Sequence, residues 1–430
     1  MGGDVKRIFV AVSVVLLSAA CGKAVPPSPG EDASVEVFGE VDAGTDGGEY
    51  EIHERRDAGV VITDSGLPWS WNAVAEVIAL PASDGGVTGR WHQVRPTAAD
   101  RAWAGGVLLF DGGVVGIPFN ESSVLVIHPG DGTTDRWPVE GGRVEEGWQG
   151  GVLLPDGTVI GIPRNASKFL RIDPVTRTAV PFGDDLSDTG VDGGLDKFRG
   201  GVLGLNGLVY AAPATASFIA RLNPQTGEVT RLPLPPTVKR GSTQGAVVFP
   251  TGDIVMFPLL DLPGLLVIPS HTREADQVWL LPRPAAPGIA PAFIGGGVIT
   301  GVDTAISPPE QNAMPLRYEA GVFRWQPPVA GVSEQIANAW FFGAWSTNGH
   351  VYSPPYGAED LLSFSLGVDS AVIPFDSEAT RFRAVSGAVA LPDGRIICLP
   401  HDRSAWLELV PEGRRTMPME AFTSPFLNKL

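Results

Sequence analysis

The chain has 430 residues, more than one ordinary globular core spans, so it needs several domains or a repeat. Its 54 glycines and 39 prolines, roughly 22% of the residues against an average of about 12%, demand a turn every few residues and exclude a helical bundle. An apolar fraction of 43% excludes wholesale disorder, and a net charge of −17 would repel a phosphate backbone, which removes nucleic acid from the partners to consider.

At the N-terminus, Lys6 and Arg7 precede an apolar run from Ile8 to Leu17, and Ser18, Ala19 and Ala20 lead to Cys21. This charged, apolar and small-residue order is that of a secretory signal, and the run is too short to span a bilayer. Leu16-Leu17-Ser18-Ala19-Ala20-Cys21 closely resembles the lipobox of bacterial lipoproteins, with Ser18 where leucine is commonest. The resemblance implies a signal peptide over residues 1–20, lipidation at Cys21, and a membrane partner reached through the lipid anchor in the cell envelope, at the outer membrane or cell surface. The competing reading is an ordinary signal peptide cut near Ala20.

Residues 21–57 read as a tether. From Pro26 onward they are rich in Pro, Gly, Asp and Glu, and between Glu31 and Asp57 ten acidic residues face only Arg55 and Arg56. Residues 58–102 form an N-terminal extension. Within it, Asn72 to Pro96 is expected to be a strand hairpin, with Ala79-Leu80-Pro81 and Trp91 to Val94 as its runs, that pairs with the last repeat or caps the assembly. Cys398, far from Cys21 in a strand-like run, is expected to be a small buried side chain.

Internal repetition organises residues 103–430. Gly105-Gly106-Val107-Leu108-Leu109-Phe110-Asp111-Gly112 is answered from Gly150, Gly200, Gly245 and Gly387, with degenerate copies at Gly343 to Gly349 and near Gly295 to Gly301. In the clear copies a proline follows the second small residue by 12 positions, as in Gly106 and Pro118 or Gly151 and Pro163. Asp-Gly or Asn-Gly between short apolar runs predicts a hairpin with a type I′ turn. Asp173-Pro174 and Asn223-Pro224 mark a second turn between two further runs. The unit is therefore four antiparallel strands, and its spacings of 45, 50 and 45 residues, with 142 more to the last copy, predict an all-β chain of seven radial blades, eight being the alternative. Runs such as Leu222-Asn223-Pro224-Gln225-Thr226-Gly227 resemble those of NHL-type and virginiamycin B lyase-like bacterial β-propellers, a superfamily also similar to Kelch and WD-repeat rings. The resemblance covers Trp103 to Pro418 and implies the fold; its lyase members use histidine, acidic residues and a divalent ion at the ring mouth.

In such a ring the loops joining second to third strands share a face with the blade-to-blade loops. Asn120, Asn165 and the non-repeated group His401-Asp402-Arg403 map there, and Trp103, Trp148, Phe198 and Trp340 stand just before the first strands. Two readings compete at each position. Asparagine either contacts a ligand or bonds its own turn, tryptophan either lines the mouth or packs between blades, and His401 with Asp402 either serves as a general base or is solvated. No zinc-spaced cysteine pair, His-Glu-x-x-His, nucleophile elbow or phosphate loop occurs, so no metal or cofactor is assigned. The sequence thus supports an envelope-anchored propeller that binds or scaffolds a protein, peptide or glycan. The alternative is a lyase or hydrolase using His401, Asp402 and either Glu121 or Glu359 with a cation.

Overall fold

The computed structural model describes Trp69, Trp340 and residues 71–83, 86–94, 100–189, 194–258, 262–270, 277–282, 296–309, 315–319, 321–329, 342–358, 360–365, 368–373 and 384–427. Cys21, the signal run, the acidic tether and Glu359 lie outside the described residues.

The first element corrects the expected hairpin. Apolar residues Ala73, Val74, Val77 and Ile78 recur at helical rather than alternating spacing, and α1 (Trp71–Ile78) buries all four on one face. Only the second half of the segment is extended, as β1 (Val87–Gln93).

Four strands per repeat follow. The first blade is β2 (Trp103–Leu108), β3 (Val114–Pro118), β4 (Ser123–His128) and β5 (Thr133–Pro138). The second is β6 (Trp148–Leu153), β7 (Val159–Pro163), β8 (Phe169–Asp173) and β9 (Thr178–Phe182). The third is β10 (Phe198–Leu203), β11 (Val209–Pro213), β12 (Phe218–Leu222) and β13 (Val229–Pro233). The fourth is β14 (Thr243–Val248), β15 (Ile254–Pro258), β16 (Gly264–Ile268) and β17 (Trp279–Pro282). The fifth is β18 (Val298–Ile299), β19 (Thr304–Ser307), β20 (Leu316–Glu319) and β21 (Val322–Trp325). The sixth is β22 (Ala344–Trp345), β23 (His350–Ser353), β24 (Leu361–Ser365) and β25 (Val368–Ile373). The last blade contributes β26 (Val385–Ala390), β27 (Ile396–Pro400) and β28 (Ala405–Pro411), before the short helix α2 (Met419–Thr423). The two degenerate repeats are those whose inner strands, β18 and β22, are shortest.

Among the described residues these strands form seven four-stranded antiparallel sheets, which excludes the eight-bladed count. The seventh sheet has the order β1-β28-β27-β26. β1 pairs along the whole of β28, from Val87 opposite Pro411 to Gln93 opposite Ala405, so N- and C-terminal segments share one blade and close the ring.

Each sheet is driest at the axis. β2, β6, β14 and β26 are buried at every residue, whereas the outer β5 is mostly exposed or half-buried. The repeated small residue of the inner strand is a close-approach position: a Cβ on Gly106 would lie 2.5 Å from Leu399 Cδ2 of the last blade, and one on Gly151 would lie 2.7 Å from Ile117 Cδ1 of the first. Glycine there lets the second strand of one blade interdigitate with the first strand of the next, and the contact to Leu399 carries the pattern across the closure.

The hairpin turns differ from the expected type. Leu109 accepts the Gly112 N–H at 3.1 Å, and Asp111 Oδ1 accepts the Gly113 N–H at 2.9 Å. Only Gly112 has positive φ, at 86°. A β-turn followed by one left-handed glycine therefore replaces the two-residue turn, because the Asp side chain ties down the backbone that a second positive φ would otherwise direct.

Helices close one end of the ring. Ser83 donates to the Asn348 carbonyl and Met417 to that of Pro392, both in turns between first and second strands. Trp71 meets Phe426 edge-on at 5.4 Å, and Phe426 and Leu427 line a small cavity together with Gly297, Val298, Phe342 and Gly343 at the fifth and sixth inner strands. The opposite end, where second strands lead into third strands, carries the candidate site.

Candidate functional site

In blades one, two, three and seven the loop after the second strand begins with two residues of different duty. The second of them is a stitch. Asn120 Oδ1 accepts the Glu146 N–H at 2.8 Å while its Nδ2 donates to the Asp100 carbonyl at 2.9 Å, so one side chain joins two successive blade-to-blade loops. Asn165 repeats this with the Asp196 N–H at 2.7 Å and the Glu145 carbonyl at 3.1 Å. Thr215 takes the same place through the Leu195 carbonyl at 2.6 Å, and Asp402 does so by accepting the Arg101 N–H at 3.0 Å. The repeated asparagines bond the backbone of these loops.

The first residue of these four loops changes from blade to blade: Phe119, Ala214 and His401 are buried, and Arg164 is half-buried. The His401 ring lies 5.5 Å from that of Phe119 and 5.8 Å from that of Tyr356, which belongs to the sixth blade, and the Arg164 guanidinium stands 4.9 Å over Phe119. Side chains from blades six, seven, one and two thus meet at this end of the ring.

A ladder of alternating charge crosses the first four blades. Arg101 Nη1 pairs with Glu146 Oε1, Glu146 Oε2 lies 3.1 Å from Arg164 Nη2, and Asp196 Oδ1 lies 3.0 Å from Arg164 Nε. That last contact is outside hydrogen-bond geometry. Asp196 also accepts two bonds from Arg199, at 2.6 and 2.9 Å, and Arg199 reaches Gln244 Oε1 at 3.3 Å. Arg164 Nη1 donates to Gln149 at 3.0 Å. Burial lowers the pKa of the Arg164 guanidinium from its ordinary value, against the opposing charge of Asp196, while the neighbouring Arg199 adds to the lowering. Arg101, Glu146 and Asp196 each stand two residues before a first strand and share a left-handed backbone, with φ of 54°, 48° and 52°. Such values disfavour any residue with a Cβ, and here they recur where the side chains enter the mouth.

The sequence-predicted site residues are distributed as follows. Trp103, Trp148 and Trp340 are buried, and each indole donates at 2.9 Å to a carbonyl of its own blade, those of Ser123, Lys168 and Asp360. Phe198 at the equivalent position is fully buried. The group His401-Asp402-Arg403 is sent three ways. His401, 3% exposed, has Nδ1 2.7 Å from the Trp103 carbonyl, which fixes the proton on Nδ1 if the ring is neutral. Asp402 joins the stitch, and Arg403 turns to the rim, its guanidinium 4.6 Å over the Trp91 ring on β1. Glu121 is buried and 3.8 Å from Arg136. Among the described residues no group of three His, Cys, Asp or Glu side chains is placed to hold a metal ion. Sequence reasoning missed the ladder; its available signal was the sequence Arg101, Glu146, Asp196 at one repeated position.

No family model matches the chain, and no curated protein matches it. Solved structures do. Virginiamycin B lyase from Staphylococcus aureus superposes with a TM-score of 0.58 at 13% identity, over 76% of this chain and 99% of the lyase. Hydrazine synthase from Kuenenia stuttgartiensis gives 0.55 at 11% identity, over 74% of this chain and 99% of that one. The extracellular domain of a one-component system from B. thetaiotaomicron gives 0.56 at 11% identity, over 75% of this chain but 40% of its own. These likenesses establish the fold. The chain is a seven-bladed β-propeller, similar in architecture to virginiamycin B lyase and to the extracellular domain of a one-component system, and at such identities activity does not follow from the likeness.

Proposed function

We propose that this propeller is an envelope-anchored binding module, held to a membrane by lipid on Cys21, whose ring mouth engages a protein, peptide or glycan. The observation that carries the reading is the contrast between two neighbouring positions: the stitch is a hydrogen-bonding residue in all four blades where it is seen, Asn120, Asn165, Thr215 and Asp402, whereas the position before it holds Phe119, Arg164, Ala214 and His401 in turn. The lipobox-like run and the likeness to extracellular domains support the location.

Thermal melting of the full-length Cys21→Ala protein against a panel of short peptides and oligosaccharides tests the reading, with Tyr356→Ala as control. Stabilisation that disappears in Tyr356→Ala supports it; stabilisation that survives the change puts binding elsewhere and overturns it. A cation-assisted lyase or hydrolase is the second reading, favoured by His401 in the mouth and by the architecture shared with a lyase whose inactive variant has been solved with quinupristin. It predicts stabilisation by divalent cations and cleavage of quinupristin, both lost on His401→Ala.

A further inference from the structure

The sixth blade departs from the repeat at one inner-strand position. Two residues after the buried tryptophan, the first and second blades have Gly105 and Gly150, with φ of 83° and 75°, where the pairing of first and second strands slips. A Cβ on Gly387, the same position in the last blade, would lie 2.8 Å from Gly105 Cα, so neighbouring inner strands touch there. In the sixth blade the residue two after Trp340 is Phe342, 5% exposed. The register is fixed by the next residue, Gly343, which keeps the close-approach role: its Cβ would lie 2.8 Å from Val351 and 3.3 Å from Val298 of the fifth blade.

The segment after the last blade fills the space beside Phe342. The seven sheets are complete at Pro411, yet the chain continues as a strap held at two hairpin turns, the Arg415 N–H donating to Thr347 Oγ1 and the Met417 N–H to the Pro392 carbonyl, both at 2.8 Å. It then buries Ala421, Phe422, Ser424 and Phe426. Phe426 and Leu427 line one cavity with Gly296, Gly297, Phe342 and Gly343, and at about 10 Å³ it has room for about one water, so the fit is close. Both degenerate blades thus lend inner-strand residues to a single seat. Undirected decay of a repeat would scatter such departures around the ring.

We propose that the segment from Arg415 to Leu427 is a plug, seated against the inner strands of the fifth and sixth blades, and that Phe342 couples its seating to the ring mouth. Phe342 has the contacts such a link needs. On one side it shares the cavity with Phe426 and Leu427; on another its ring stands edge-on to Tyr356, at 6.5 Å and 86°, and Tyr356 lies 5.8 Å from His401. Trp71 of α1 meets Phe426 from the helical end, so aromatic contacts run from that end to the mouth with the seat between them. A glycine at this position, as in the first and second blades, would remove the one ring that touches both. The plug also lies outside the hydrogen-bonded ladders of the seven sheets, and an element held mainly by a few apolar side chains opens at lower free energy than the sheets it leaves. Unseating it takes away packing from Phe342, and the Tyr356 loop loosens with it. This coupling is a property of the ring itself and needs no ligand at the mouth.

Hydrogen exchange of the full-length Cys21→Ala protein, with and without Phe426→Ala, tests the coupling. Exchange should quicken at least about tenfold at Ala421 to Leu427 and by a smaller, measurable factor at Gly357 and Ala358 of the Tyr356 loop, with the outer strands β5, β9 and β13 unchanged. Phe426→Leu, which keeps an apolar side chain, should give the same pattern with smaller factors. With Phe342→Ala already present, Phe426→Ala should still quicken the tail but no longer change Gly357 and Ala358, as expected when one residue carries the link. Faster exchange confined to the tail and α1, or a response at Gly357 and Ala358 that survives Phe342→Ala, would overturn the coupling. Loss of the strand signal in circular dichroism with both Phe426→Ala and Phe426→Leu would overturn the plug, because the segment would then belong to the cooperative fold of the ring.

Discussion

His92 on β1 and Glu408 on β28 join the two ends of the chain, with imidazole Nε2 3.0 Å from carboxylate Oε2. The His92 ring is stacked on Trp406 at 3.9 Å, and Glu408 also accepts from Arg395 at 2.7 Å, which in turn donates to the Pro129 carbonyl of the first blade at 3.0 Å. One network therefore ties β1, β27, β28 and the neighbouring blade. Removing its outermost member, His92→Ala, should lower stability by about 1–3 kcal/mol in chemical denaturation, from one charge-assisted bond and one aromatic stack.

Acid should weaken the same closure. Burial raises the Glu408 pKa, but hydrogen bonds from Arg395 and His92 outweigh it and hold the carboxyl below the usual glutamate value of about 4.5. A carboxyl depressed in the folded chain contributes stability that is present above that value and is lost as pH falls through the folded one. Denaturation midpoints of the wild type should therefore drop below about pH 4.5, and the Glu408→Gln protein should show a shallower drop. An unchanged acid limb in Glu408→Gln would contradict this.

Lys197 carries the opposite sign. Its side chain is 1% exposed, Nζ donates to the Gly194 carbonyl at 2.8 Å, and burial pushes its pKa down from 10.5 to about 8 against the opposing charge of Asp185. Between these two values the unfolded chain binds more protons, so stability should rise as pH increases from about 8 to about 10.5. Lys197→Met should remove that rise and stabilise the protein at pH 7 by roughly 1–3 kcal/mol, the cost of the buried charge less one hydrogen bond.

The inter-blade contacts predict a contrast between two glycines. Gly151→Val should cost about 1–3 kcal/mol, because its Cβ would press on Ile117 and Val107 at 2.7 and 2.9 Å. Gly130→Ala, with nothing within 4 Å of the added carbon, should be close to neutral in thermal melts.

What the sequence made legible follows from what repeats. The Gly-Gly and Asp-Gly pairs recur because every blade needs a close-packed inner strand and a hairpin, so the seven-bladed ring could be read from residues such as Gly106, Gly151 and Gly112 alone. Trp103 and Asn120 recur for the same reason: one bonds its own blade, the other stitches its loops. The ladder was not legible because its members stand 45 and 50 residues apart at Arg101, Glu146 and Asp196. They become neighbours only when the ring curves them around one axis. The expected first run of the hairpin, Ala79-Leu80-Pro81, lies just past a helix whose available signal was the spacing of Ala73, Val74, Val77 and Ile78.

The proposed lipidation of Cys21 has a direct consequence. The wild type should partition with membranes and Cys21→Ala with the soluble fraction after cell lysis; membrane retention of Cys21→Ala would contradict lipidation at that residue.

Hydrogen exchange of the full-length Cys21→Ala protein, with and without a saturating peptide or oligosaccharide that stabilises it, tests the mouth most directly. Protection should concentrate at residues 100–102, 145–149, 164–165 and 196–199, with little change in the outer strands or around α1 and α2. Protection confined to the helical end or to the rim, with the ladder segments unchanged, would contradict the account.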